Sequence, residues 1–592
     1  MTERITLMKL FKPSSIKVLA LILAILAVLL LSACNKEDTD ATDATDQQTE
    51  APSETSKYND GKLRIFADGK YQCKIVRPEN ATRRELDFYV SVRNIFKEVT
   101  GVMPSISTDF IAHNESYDPN EFAILVGTTD HDEASELYSK LSYSDFRAEL
   151  INKKYVLGFH DLDTANAALA SLKALLVKNF KNGELILEGD WNYSFSQKEI
   201  LESIPVYEGG SFSDVYEGAY GMQTIVIEKT NENEYNAYLN KIAADGFTPY
   251  TDNSIGKNLF ATYTSDKYIL TTMYFASRNE VRVTLEESGN YDLPALEVEN
   301  VYTDKGVEAT ITQIGLEESN NIQNGMSYVI KLADGSFMIF DGGTGASTGK
   351  AQFFEVMESL ADDPDNITVA TWVITHAHGD HFGLLYSLIY DDKFLENYTV
   401  EQIIWSKVSE KQLANMEAGN MDYIDKLFAT LKDTKIVIAH PGQVFYIRNA
   451  VYTVFATIEM VEPIILANLN DSSVVGRLEI AGRSILFPGD SHPTETEAIT
   501  SIYKESLKSD AIQVIHHGYQ GGNTSFYALV DPITVFWPLG MKNYSTAESP
   551  NTPMKDWGFS EWFFMEESKV EKIYVAGSEV ITLNIKDLPS HN

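Results

Sequence analysis

The sequence predicts a multi-domain α/β protein, and three observations carry that prediction. Short β-prone apolar runs such as Phe122–Val126, Tyr155–Phe159 and Val369–Thr375 alternate with longer stretches whose apolar residues recur at helical spacing. The chain has 592 residues, room for about three domains with cores of their own. It has only two cysteines, Cys34 and Cys73, so those cores and not a disulfide framework must supply stability.

The N-terminus comes first. Residues 1–17 carry Arg4, Lys9, Lys12 and Lys17 and lead into an uninterrupted apolar run from Val18 to Leu31. That run is shorter than the roughly 20 residues of a spanning helix and has the flanks of a secretory signal. It ends in Leu31-Ser32-Ala33-Cys34, which resembles a bacterial lipobox. The resemblance implies that residues 1–33 are a lipoprotein signal peptide and that Cys34 becomes the lipidated first residue. The mature protein would then sit on the extracytoplasmic face of the bacterial cell membrane, held by its lipid anchor. Residues 34–57 are rich in Asp, Thr, Glu, Gln and Ser without an apolar cluster, and read as a flexible acidic tether.

Charge narrows the partners. With residues 1–33 set aside, 44 basic residues face 84 acidic ones. Nucleic-acid affinity rests mainly on neutralising phosphates with Lys and Arg, so tight nucleic-acid binding is not expected. The acidic balance reads as solubility in cation-rich surroundings.

Residues 58–198 read as an α/β domain. Phe88, Val92, Ile95, Phe96 and Val99 mark a helix that Gly101 is placed to stop, and Ala165, Ala168, Leu169, Leu172 and Leu176 mark a second. The runs Glu98-Val99-Thr100-Gly101, Ala123-Ile124-Leu125-Val126-Gly127-Thr128 and Thr164-Ala165-Asn166-Ala167-Ala168 resemble the N-terminal accessory domain of several bacterial carbohydrate-active enzymes. That resemblance implies a non-catalytic domain. His113, His131 and His160 are scattered through it and read as surface residues.

Residues 199–303 read as a small α+β module. Tyr235, Tyr238, Leu239 and Ile242 give Glu232–Ala244 one apolar face, and Thr224–Ile227, Leu259–Thr264, Tyr268–Phe275 and Val281–Leu285 are strand candidates. No motif here carries chemistry. Leu293-Pro294-Ala295-Leu296 leads into a linker.

Residues 304–592 hold the chemistry. Tyr328–Leu332 and Ser336–Phe340 flank Ala333-Asp334-Gly335, a hairpin signal, and Asp341-Gly342-Gly343 follows. Val369–Thr375 then runs into His376-Ala377-His378-Gly379-Asp380-His381. Imidazole and carboxylate suit zinc and related metals. His376 and His378, two apart, can grip one ion, with Asp380 and His381 holding a second. Gly379 is expected to let the backbone turn tightly. Four such groups brought together without a cation would repel and desolvate one another.

His-x-His-x-Asp-His after a strand resembles the signature of the metallo-β-lactamase superfamily, which implies an αβ/βα sandwich with two divalent metal ions at its edge. The later motifs agree. Asp490 closes Ser484-Ile485-Leu486-Phe487-Pro488-Gly489-Asp490, and His516-His517-Gly518 follows the run Ala511–Ile515. The resemblance implies that His376 and His378 bind one metal, that Asp380, His381 and His517 bind the other, and that Asp490 bridges both. His517 matches the family ligand better than His516. That leaves His516 as an acid, a phosphate donor or a structural histidine.

Asn470-Asp471-Ser472-Ser473-Val474-Val475, together with the Gly-Asp and His-His-Gly motifs, resembles the ComEC-like branch and its extracellular phosphodiesterase relatives. Many superfamily members carry a further histidine ligand where this chain has Asn470 to Ser473. The first metal therefore has the thinner shell, and zinc and manganese both remain open. Tyr519 stands where the branch often has serine. Asn470, Ser472 and Tyr519 are candidate substrate or ligand-orienting residues. His440 reads as structural, and His492 as a candidate to line the pocket.

The resemblance implies a hydrolase in which a metal-activated hydroxide attacks a phosphodiester, with Asp380 orienting it and accepting its proton. A phosphorylated wall polymer is one substrate class. The alternatives are an extracellular metallo-nuclease related to the ComEC domain, and a non-catalytic metal-binding surface lipoprotein.

Overall fold

The computed structural model describes residues 62–591 apart from 63, 112–115, 188, 195–197, 297–301, 303, 316–324, 415, 417–420, 542–543, 545–559 and 578. The signal segment, Cys34, the tether and His113 lie outside the described residues.

The first sheet has six strands in the order Trp191–Ser194, Asp145–Ile151, Lys154–Phe159, Ala123–Val126, Lys74–Arg77 and Ile106–Thr108. Helices Arg83–Thr100 and Leu162–Asn179 bury Phe88, Val92, Phe96, Ala165 and Leu172 on the side of Ile75, Ile124 and Val126. The alternate residues Val76 and Leu125 face Ala134 and Leu137 of the helix Asp132–Tyr138, as the period of two in a strand requires. Thr82 and Glu85 form a reciprocal capping box at the start of the first helix, and Gly101, in the left-handed region at φ 79°, ends it.

Two histidines of this domain differ from the sequence-based expectation. His131 is buried, its ring stacked 3.8 Å from that of Tyr117. His160 packs edge-on between Tyr138 and Tyr143, and burial pulls its pKa down to about 4. His131 is thus not a surface residue, and His160 is only partly exposed. Tyrosine neighbours brought in from elsewhere in the fold cover them, which composition alone does not show.

The second sheet is antiparallel throughout, in the order Ser211–Glu217, Gln223–Glu228, Glu280–Glu287, Tyr268–Phe275, Asn258–Thr264 and Thr248–Ile255. Helix Glu232–Ala244 covers one face with Tyr235, Tyr238 and Ile242. The other face sends Phe260, Met273 and Phe275 into a core shared with Phe455, Ile499, Ile502 and Tyr503 of the C-terminal part. Tyr268–Phe275 is buried at every position for that reason. Polar groups lock the same junction. Arg282 Nη1 donates to Glu462 O at 2.7 Å and to Glu459 O, and His440 lies between Glu459 (2.6 Å) and Glu286 (3.3 Å).

Two larger sheets follow. One runs Lys435–Ile438, Gln402–Trp405, Ile367–Val373, Phe337–Asp341, Ser327–Lys331, Thr310–Gln313 and Ile581–Asn584. The other runs Val444–Ile447, Ala450–Ala456, Val475–Ile480, Arg483–Phe487, Ala511–Gln513, Thr534–Trp537 and Lys572–Val575. They bury Tyr328, Phe340, Val373, Tyr452, Phe487 and Phe536 between them, with Phe340 stacked 3.8 Å from Phe487. Helices Ser347–Leu360 and Gly379–Leu388 cover the outside of the first, and Pro493–Tyr503 and Thr524–Val530 the outside of the second. The layers are αβ/βα. Strands Phe337–Asp341, Ile367–Val373, Arg483–Phe487 and Ala511–Gln513 lead at their C-terminal ends into the segments that carry the chemistry, the usual place for a site in such sheets.

Candidate metal centre

Strand Ile367–Val373 hands the chain to His376, His378 and Asp380, the last two at the start of helix Gly379–Leu388. Gly379 has an ordinary helical φ, and a Cβ built there would meet nothing within 4 Å. The expected tight glycine turn is therefore not what shapes this loop. The glycine that geometry does demand is Gly489, at φ 57°, where a Cβ would lie 3.0 Å from Thr375 and 3.1 Å from Ser473.

The six expected ligands converge. Nε2 of His376 is 2.9 Å from Nδ1 of His378. Oδ2 of Asp490 is 3.0 Å from His381 Nε2, 3.4 Å from His517 Nε2 and 4.0 Å from His376 Nε2. Asp380 Oδ2 is 3.4 Å from His517 Nε2. Donor atoms of His376, His381 and Asp490, and separately of Asp380, His381 and His517, lie within 4.8 Å of one another.

These residues fit a pair of cations. His517 Nδ1 donates to Pro538 O at 2.7 Å, and His381 Nδ1 meets Asp341 Oδ2 at 2.7 Å. In each neutral ring the free lone pair is thus on Nε2, which faces carboxylate oxygens. Acceptors facing acceptors call for a proton or a cation between them. His517 Nε2 and Asp490 Oδ1 are buried without a hydrogen-bond partner. Burial alone would lower the pKa of His517, but Asp490 and Asp380 raise it to about 9. Burial would raise that of Asp490, but His381 and His517 hold it well below the carboxylate range. A cation among these atoms would take over that pairing.

Asp341 is the residue that motif reading missed. It is fully buried at φ 53°, accepts from Thr375 N (2.8 Å) and Thr375 Oγ1 (2.7 Å), and orients His381. Its signal in the sequence was an acidic residue closing a buried hairpin strand. Such outer partners fix the tautomer of a ligating imidazole. Ser473 was also overlooked: its Oγ accepts from Asp490 N at 3.2 Å.

Strand Ala511–Gln513 delivers the last histidines through three consecutive left-handed residues, His516 (φ 47°), His517 (54°) and Gly518 (92°). Trp537 Nε1 donates to His517 O at 2.8 Å, and a Cβ on Gly518 would press on the Trp537 ring at 2.8 Å. Each left-handed non-glycine residue costs about 1–3 kcal/mol, a strain that recurs at functional sites.

His516 Nε2 lies 3.9 Å from Asp490 Oδ2 and 3.3 Å from Asn470 Nδ2, and burial pulls its pKa down to about 4. His492 and Tyr519 pack around it, with ring centroids at 5.0 and 5.6 Å. Asn470, His492 and Tyr519 therefore border the cluster. Ser472, buried in the same segment, donates its hydroxyl to Leu469 O at 2.6 Å.

Residues 321–528 match the model of a family described as the metallo-beta-lactamase superfamily. No curated protein matches the chain. Among solved structures, the metallo-beta-lactamase fold protein YhfI from Bacillus subtilis aligns at 13% identity over 46% of this chain and 99% of its own, with a TM-score of 0.28. Unliganded yeast PDE1 aligns at 15% identity over 47% and 99%, with a TM-score of 0.31. A long form RNase Z from yeast aligns at 10% over 55% and 51%, with a TM-score of 0.28. The matched segment contains all the ligand candidates from His376 to His517, and the C-terminal part of this chain has the metallo-beta-lactamase fold.

Proposed function

We propose that the protein is a metal-dependent hydrolase of phosphodiesters, held at the extracytoplasmic face of a bacterial membrane by lipidated Cys34. The observation that carries the catalytic part is the placement of Asp490, one carboxylate oxygen within 4.0 Å of His376, His381 and His517. His376 and His378 would hold one cation and Asp380, His381 and His517 the other, with Asp490 shared. A pair of divalent ions supplies Lewis acidity and a water whose pKa is lowered to about 7.

The chain's own groups do the rest. Asp380 keeps 24% of its side chain exposed while the other carboxylate, Asp490, keeps 3%. Asp380 is thus the carboxylate placed to orient an attacking water and accept its proton. His516, neutral through burial, lies with its ring beside Asp490, where it would meet the phosphoryl group. Asn470 Nδ2 donates to its Nε2 at 3.3 Å and fixes that ring. The acidic balance, 84 acidic against 44 basic residues from Cys34 onward, favours a substrate other than long nucleic acid.

Turnover on bis-(4-nitrophenyl) phosphate, single-stranded DNA, a phosphorylcholine polymer and a β-lactam tests this, with His378→Ala and Asp380→Ala as controls. Hydrolysis of the first that both substitutions abolish supports the reading. Metal-loaded protein that turns over none of the four points instead to a binding protein. For the anchor, Cys34→Ala should release the protein from the membrane fraction.

A further inference from the structure

Glu495 has none of its surface exposed and stands in the first turn of helix Pro493–Tyr503. A carboxyl group buried so completely is costly unless it makes hydrogen bonds that matter. Its Oε2 accepts from Ser491 Oγ at 2.7 Å, and Ser491 directly follows Asp490. Its backbone N–H donates to Asp471 Oδ1 at 2.9 Å, tying the helix to the segment before strand Val475–Ile480. In that segment Ser473 Oγ accepts from Asp490 N at 3.2 Å and donates to Asn470 O at 2.9 Å. Asp490 is thus flanked by two held residues, Ser473 at its own amide and Ser491 next in sequence, and Glu495 holds Ser491 while its N–H ties to Asp471, two residues before Ser473.

We propose that Glu495 is a positioning residue for the shared carboxylate: by holding Ser491 it fixes the turn that aims Asp490 at His381 and His517. This deepens the hydrolase reading and rests on Asp490 being a metal ligand. Burial, with Asp471 nearby, raises the pKa of Glu495 well above the carboxylate range against the Ser491 hydrogen bond. Glutamine keeps the length of the side chain and an oxygen to accept from Ser491 Oγ, and alanine keeps neither.

The test compares the wild type with Glu495→Gln, Glu495→Ala and Ser491→Ala. Zinc affinity is read by competition with a chromophoric chelator, ligand geometry by the visible bands of the cobalt(II) protein, and folding by circular dichroism. Glu495→Ala should fold, bind zinc about 10–100-fold more weakly and shift the cobalt bands, the usual scale for an outer partner of a ligand. Glu495→Gln should restore affinity and bands, and Ser491→Ala should weaken binding in the same direction. Folded Glu495→Ala with wild-type affinity and bands overturns the proposal, as does Glu495→Gln impaired equally. Should Glu495→Ala not fold, Ser491→Ala decides alone, and unchanged affinity and bands there overturn it. A wild-type protein that takes up no divalent ion overturns the hydrolase reading together with this one. Metal binding without turnover sinks only the hydrolase reading.

Discussion

The carboxylate of Asp341 lies 2.7 Å from Nδ1 of His381, and neither side chain is exposed. Asp341 is not a ligand candidate, yet it decides which nitrogen of His381 is free to be one. Asp341→Asn keeps the size and removes the charge that orients the ring. Zinc affinity, measured by chelator competition, should fall about 10–100-fold. Unchanged affinity would mean that the ring is held by packing alone.

The two adjacent histidines should separate by metal content. His517→Ala removes a ligand, and elemental analysis should show fewer bound ions per chain. His516→Ala should keep the wild-type metal content and slow phosphodiester turnover by about 10²–10⁴, the range of a lost acid–base or donor group. The reverse pattern would exchange their roles.

Metal removal should also register in stability. The facing acceptors of His381, His517 and Asp490 must be protonated or bridged, and a cation bound only to the folded chain stabilises it by mass action. At one hundred times the dissociation constant that amounts to about 2.7 kcal/mol. Scanning calorimetry should show the transition fall after chelation and return with zinc. A midpoint indifferent to metal would contradict the convergence described above.

Glu462 offers a pH test remote from the metals. Burial, with Glu459 adding to it, pushes its pKa up to about 8 against Arg282 and Lys411. The folded chain therefore keeps a proton that the unfolded chain has lost, and stability drains away as pH rises from about 4.5 to about 8. Glu462→Gln should leave the urea midpoint unchanged at pH 4.5. It should raise stability at pH 9 by about 1.4 kcal/mol for each unit of displacement. Equal effects at both pH values would refute the assignment.

Much of this was legible in the residues. Helix Glu232–Ala244 and strand Tyr268–Phe275 lie where periodicity puts them, because each pattern is long and uninterrupted. The ligand motifs were visible because imidazoles and carboxylates crowd into one short run. Strands Ser211–Glu217 and Thr248–Ile255 were not expected, since their many exposed polar positions blur the alternation. Asp341, Ser473 and Glu495 act through contacts made across the fold, and no local pattern announces such partners. His131 and His160 were misplaced on the surface for the same reason: what buries them is the arrangement of tyrosines around them.

The sheet spanning Ser211 to Glu287 gives one of its faces to Ile499, Ile502 and Tyr503, so the C-terminal region does not end where its own chemistry does. A fragment cut to begin at residue 304 would display bare aliphatic and aromatic surface and should precipitate or recruit detergent. One that begins ahead of Ile200, and so keeps Ile200, Leu201, Ile204 and Tyr207 in the core of that sheet, should remain dispersed. Anyone seeking the smallest workable piece of this protein should keep that sheet attached.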